Sequence, residues 1–202
     1  MNDDAAVEQR PSNTVDAGAD YVEAGQGKAV ISIGDDGRVG LRQSDAILAR
    51  QRRVTCFSLE AVSSSCQLAA TRIAATIDKM QLGQFDLIGH GAGADVALWL
   101  AILKGESVKS LVLVAPRGDD GQPFDDVKCP VLTLFGTNDE QVSLTRQKQA
   151  RVRPSHSHLM YVYDAGVSIG DERPEALAFI ANEFFERRNE FLVSRDSGLV
   201  FP

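Results

Sequence analysis

Apolar residues recur along this chain in two rhythms that take turns. Short, nearly continuous apolar runs read as strands: "KAVISI" (28–33), "RVTCFSL" (53–59), "FDLIG" (85–89), "KSLVLVA" (109–115), "PVLTLFG" (130–136) and "HLMYVYDAG" (158–166). Between them the apolar positions fall at helical spacing: "SDAILARQ" (44–51) with Ser44 as a candidate N-cap, "CQLAATRIAATIDKM" (66–80), "ADVALWLAIL" (94–103), "LTRQKQAR" (144–151) and "RPEALAFIANEFFERR" (173–188) with Pro174 in its first turn. A strand that is apolar on both faces must be covered on both faces. The alternation therefore predicts an α/β fold with a mostly parallel sheet between two layers of helices. It also sets the boundaries: an acidic, aperiodic tail over 1–19, one domain over 20–190 and a C-terminal extension over 191–202.

In such a sheet ligands meet the carboxyl ends of the strands. Five loops follow strands and so open onto one edge: "GDDGR", "GHGAG", "APRGDDGQP", "GTNDEQV" and "DAGVSIGDERP". Candidate chemistry has to be sought there.

Composition narrows the partners. Hydrophobic content of 44% with 24% charged residues suits a globular protein, and the length of 202 residues suits a single domain. A net charge of −7 argues against nucleic acid or an anionic membrane as the main partner. The one basic stretch, "RQKQARVR" (146–153), reads as a solvated helix face. No apolar run reaches the ~20 residues of a membrane span, and the acidic start lacks the pattern of a secretory signal. Cys56, Cys66 and Cys129 are odd in number and not at metal-ligand spacing. They read as free thiols, which with the missing signal gives a cytoplasmic expectation with no metal and no cofactor.

The motifs "EAGQGKAVISIG", "FDLIGHGAG", "CPVLTLFGTNDEQV" and "YVYDAGVSIGDERPEALAFIANEFFE", in this order over most of 23–186, resemble the α/β-hydrolase family. The resemblance implies a sheet without a cap domain, since "PRGDDGQPFDDVK" is too short and polar to form a lid. It also maps the family's nucleophile, acid and histidine, in that order, onto Gly91, Asp139 and Val167. Only the acid matches. Glycine has no side chain to attack a carbonyl, and an isopropyl group cannot carry a proton. Where relatives carry "HG" after the first strong strand, this chain has Ile33-Gly34 followed by Asp35-Asp36, whose carboxylates would oppose a developing oxyanion. The backbone of Ala92 retains the position of the other oxyanion donor.

The remaining residues read as structural. His90 packs beneath the turn, and His156 and His158 start their strand about 25 Å from the site at ~3.3 Å per residue. Asp139, without a histidine to orient, reads as a turn former. Cys56 and Cys66 read as small apolar residues, and Cys129 lies at the wrong end of its strand. "GHGAG" lacks the acidic and lysine partners of nucleotide loops. These observations favour a catalytically silent hydrolase-fold protein whose open cleft (Gly34, Asp35, His90, Gly91, Ala92, Val167) binds a small molecule, or which binds a protein partner or its own copy. Two alternatives stay open. One is an active hydrolase or lyase of small acyl compounds with a non-standard site; the other is a structural interaction module.

Overall fold

The computed structural model describes residues 10–11, 19–34, 37, 40–59, 65–118, 124–140 and 157–191. They build one eight-stranded sheet: β1 (Arg10–Pro11), β2 (Tyr21–Ala24), β3 (Ala29–Gly34), β4 (Arg53–Ser58), β5 (Phe85–His90), β6 (Val108–Val114), β7 (Val131–Gly136) and β8 (Ser157–Val162). The spatial order is β1-β2-β4-β3-β5-β6-β7-β8. Only the β1–β2 and β2–β4 pairs are antiparallel; all pairs from β4 through β3 to β8 are parallel. Arg10–Pro11 falls inside the segment expected as a tail, yet pairs with Val22 and Glu23. Pro11, which has no N–H to donate, is tolerated there because β1 is an edge strand.

Among the described residues five helices cover the sheet: α1 (Gln43–Leu48), α2 (Cys66–Met80), α3 (Ala92–Lys104), α4 (Ile169–Glu172) and α5 (Pro174–Arg187). Strand alternation sorts the core into two layers. Ile31, Ile33, Phe57, Leu87, Leu111 and Leu113 face α2 and α3. Val30, Val54, Ile88, Val112, Leu132 and Leu134 face α1, α4 and α5. Helix α2 starts where Ser65 Oγ accepts the Leu68 N–H at 3.2 Å, and ends at Gln81 in the left-handed region, φ 52°. Helix α3 is apolar almost all round and buried along most of its length. Its first turn lies so close to β3 that a side chain on Gly93 would strike the Ile33 carbonyl.

Two sequence expectations change here, and one buried residue joins them unannounced. Ser44 is not an N-cap: α1 begins one residue earlier, and the Ser44 hydroxyl is buried inside the helix face. Cys66 is half-buried as the first residue of α2, not a core residue. Arg52, just before β4, is 2% exposed and joins three elements. Its Nη1 donates to Asp86 on β5 at 3.1 Å, its Nη2 to Glu186 and its Nε to Asn182 on α5, both at 2.7 Å. The basic stretch 146–153, the helix expected over 144–151, His156 and the carboxylates of Asp35 and Asp36 lie outside the described residues. At the start of the expected C-terminal extension, Phe191 packs on Phe184 with ring centroids 5.5 Å apart.

Candidate functional site

Because β3, β5, β6, β7 and β8 run in parallel, the turns that leave them share one edge. At its centre β5 passes through Gly91 into α3. Gly91 has φ 55° and ψ −122°, a conformation that residues with a Cβ adopt only at a cost. The turn is pinned on both sides: the Gly91 N–H donates to the Val114 carbonyl at 2.9 Å, and the Ala94 N–H to the Gly91 carbonyl at 3.1 Å. Ala92 is the first residue of the helix. On α3, the buried Asp95 carboxylate accepts the Gly118 N–H at 3.3 Å and so holds the loop that leaves β6.

Asp139 stands in the turn after β7, half-buried, with its N–H donating to Gly136 at 3.2 Å. That turn is stitched to the loop after β8. Asn138 N–H donates to the Ala165 carbonyl at 2.8 Å, and Asp164 N–H to Thr137 Oγ1 at 2.9 Å. The second loop is also held from behind: Glu172 accepts the N–H groups of Gly166 at 2.6 Å and Ser168 at 3.3 Å, while Arg173 pairs with Asp164. Val167, at the position expected for a histidine, stays 56% exposed on this tethered loop. The fold thus brings the acid position and the base position side by side. Among the three mapped positions only Asp139 has a titratable side chain.

Gly34 ends β3, and the Arg42 guanidinium packs where a side chain on Gly34 would stand. The sequence did not signal this cation beside the end of β3. His90 ends β5, buried beneath the turn, and that burial pushes its pKa well below the usual imidazole value, with Arg42 adding to the effect. His158 sits at the start of β8, against the edges of the contacting Phe184 and Phe191 rings, with its pKa also lowered by burial. Cys129 is buried before β7, and its thiol is pushed up to about 12.

Cys56 departs from the apolar reading. Its thiol lies 3.4 Å from the Asp45 carboxylate, a group the sequence reading overlooked. Asp45 is completely buried on α1. Burial raises its pKa, against the opposing pull of Arg42, Ser32 and Cys56. The clue was helical spacing: Ser44 and Asp45 lie four and three residues before the buried Leu48, on the face that meets the sheet.

His90 makes stability pH-dependent in a definite direction. The unfolded imidazole takes up a proton near its ordinary 6.5, whereas the buried one resists. Below that value, falling pH is expected to cost about 1.4 kcal/mol per unit until the folded group titrates. Asp45 acts oppositely above its ordinary 3.8, because the folded carboxyl keeps a proton that the unfolded one releases. Urea unfolding of wild type and His90→Gln at pH 7 and pH 5.5 separates the two. The variant should lose less stability on acidification, and equal losses would contradict the assignment to His90.

Solved structures share this fold at low sequence identity. A predicted CIB-like hydrolase from Thermoplasma acidophilum superposes with a TM-score of 0.69 at 14% identity, covering 90% of this chain and 99% of that one. MGS-MChE2, an α/β hydrolase enzyme from a lagoon-sediment metagenome, superposes with a TM-score of 0.73 at 17% identity, covering 89% and 99%. This chain has the α/β-hydrolase fold. A thermophilic esterase from Thermogutta terrifontis is similar to it at 14% identity and TM-score 0.68, covering 90% of this chain and 99% of that one. No protein-family model matches the sequence, and neither does any curated protein. Among the described residues there is no cap domain. Among the described residues no helix is long and apolar enough to cross a membrane.

Proposed function

We propose that this protein is a catalytically silent member of the α/β-hydrolase fold that acts by binding, with a small molecule in the open cleft as the first candidate ligand. The observation that supports this reading is the combination at the edge of the sheet. Gly91 occupies an elbow with φ 55° and ψ −122°, and Val167 occupies the tethered loop beside the acid turn. At the mapped nucleophile and histidine positions, Gly91 and Val167 carry no group that could attack a carbonyl or carry its proton. Asp139, Gly34, His90 and Ala92 then serve as cleft scaffold, with Arg42 as a nearby cation.

Incubation with a fluorophosphonate probe is expected to leave the protein unlabelled. A thermal-shift screen of small acids, esters and amides is expected to find ligands that raise the melting temperature without being turned over. Covalent labelling, or saturable ester hydrolysis, would transfer the protein to the active-hydrolase reading. Gly91→Ser combined with Val167→His restores at most a trace of esterase activity. Catalytic groups must be held within about 0.5 Å of productive geometry by surroundings built for them. A kcat of roughly 1 to 10³ per second in that variant would show a pocket still shaped for catalysis.

A further inference from the structure

Behind the elbow, on the face covered by α1 and α4, four polar atoms are buried without a hydrogen-bond partner: Ser32 Oγ, Ser44 Oγ, Asp45 Oδ1 and His90 Nε2. They come from β3, α1 and β5, and their residues are between 0% and 6% exposed. The cluster is continuous. A Cβ on Gly170 of α4 would lie 3.0 Å from Ser44 Oγ and 3.3 Å from His90 Cε1, so both groups border the same glycine. Asp45 follows Ser44 on α1, and its second carboxylate oxygen meets Cys56 Sγ at 3.4 Å. Cys56 is the β4 register partner of Ser32. Buried polar groups are nearly always satisfied, and a concentration of them within one cluster marks a place where something polar and small is bound.

We propose that Ser32, Ser44, Asp45 and His90 form an internal water-binding site that links α1 and α4 to the strand carrying the elbow. The donor and acceptor inventory suits water. Hydroxyls offer both roles, the carboxyl oxygen and the imidazole nitrogen offer one each, and water can match any combination. The Ser32 hydroxyl also acts on Asp45 and helps hold its pKa down, so it borders the group that the water would meet. Gly170 borders the site: a side chain there would crowd both Ser44 Oγ and the His90 ring. The proposal does not depend on whether the cleft above binds a ligand or turns one over.

Two measurements test it. A high-resolution crystal structure of the wild-type protein should show ordered water within hydrogen-bond distance of at least two of the four atoms. Direct pairing of the side chains, or a larger molecule bridging them, would overturn the proposal. Water-oxygen magnetic relaxation dispersion then counts long-lived internal waters in solution. Gly170→Ala, which brings a methyl group between Ser44 and His90, should remove roughly one such water while the circular dichroism spectrum stays native. Ser44→Ala should lower the count as well. If either variant fails to fold, the wild-type density decides alone; an unchanged count in folded variants refutes the site.

Discussion

Arg52→Ala is expected to destabilise the protein by about 3–5 kcal/mol, the cost of breaking a buried ion pair by removing one partner. Asp86, buried on β5, pairs with Arg52 Nη1 and also accepts the Ser110 hydroxyl at 2.7 Å. Burial already raises its pKa despite both interactions. Without the guanidinium the carboxyl keeps the desolvation cost and loses the cation that offsets part of it. The variant also loses the bonds to Asn182 and Glu186 and the stacking of the guanidinium 5.1 Å over the Phe185 ring. The deficit should grow with pH. In the variant the folded Asp86 pKa rises further, so stability is lost as pH climbs from the unfolded value of 3.8 toward the new folded one. Urea midpoints at pH 5 and pH 7.5 measure both effects. A second variant, Arg52→Met with Asp86→Leu, should recover much of the loss, since buried pairs are often replaceable by apolar residues of similar volume. An Arg52→Ala midpoint within error of wild type would mean that the network contributes nothing.

That network also marks the limit of reading this chain from its sequence. The apolar runs exposed the parallel sheet, and helical spacing placed α2 at the same residues the structure does, Cys66–Met80. Periodicity works for these elements because their burial is carried by apolar side chains. It fails for Arg52, one of three arginines within Arg50 to Arg53. Nothing local separates the buried one, and its partners lie 34 and 134 residues away. It fails again for Ser44. A serine at the start of a short helix looks like a cap, and only the packing of α1 against β3 and α4 turns its hydroxyl inward. The candidate site was legible in another way. The elbow and the acid and base loops carry glycines and turn residues at fixed places in the order of strands, so their neighbourhood follows once the sheet is known. Arg42 beside Gly34 was not legible, because it reaches the site from the residue preceding α1 rather than from a strand end.

The glycine at the elbow gives the second large effect. Gly91→Ala is expected to lower stability by roughly 1–3 kcal/mol, the usual cost of holding a residue with a Cβ in a sparsely populated backbone region. The sign is informative, because replacing glycine by alanine at an unstrained position stabilises by about 0.4–1 kcal/mol through the unfolded chain. The penalty is not a bar to folding: Arg188 adopts φ 50° and ψ −116° after α5. Helix α3 supplies its own control. At its other end Gly105 has φ 47° and ψ −116°, nearly the conformation of Gly91, and a Cβ there would meet nothing within 4 Å. Gly105→Ala therefore reports the backbone cost alone, and any excess in Gly91→Ala reports what the elbow's surroundings add. Parallel urea titrations at equal m-value compare the two. An unchanged or raised midpoint for Gly91→Ala alone would show that the turn relaxes out of elbow geometry when a side chain is present. If both variants lose similar stability, the strain lies in the backbone. Glycine at this position then avoids a backbone cost that a side-chain nucleophile there would have to bear.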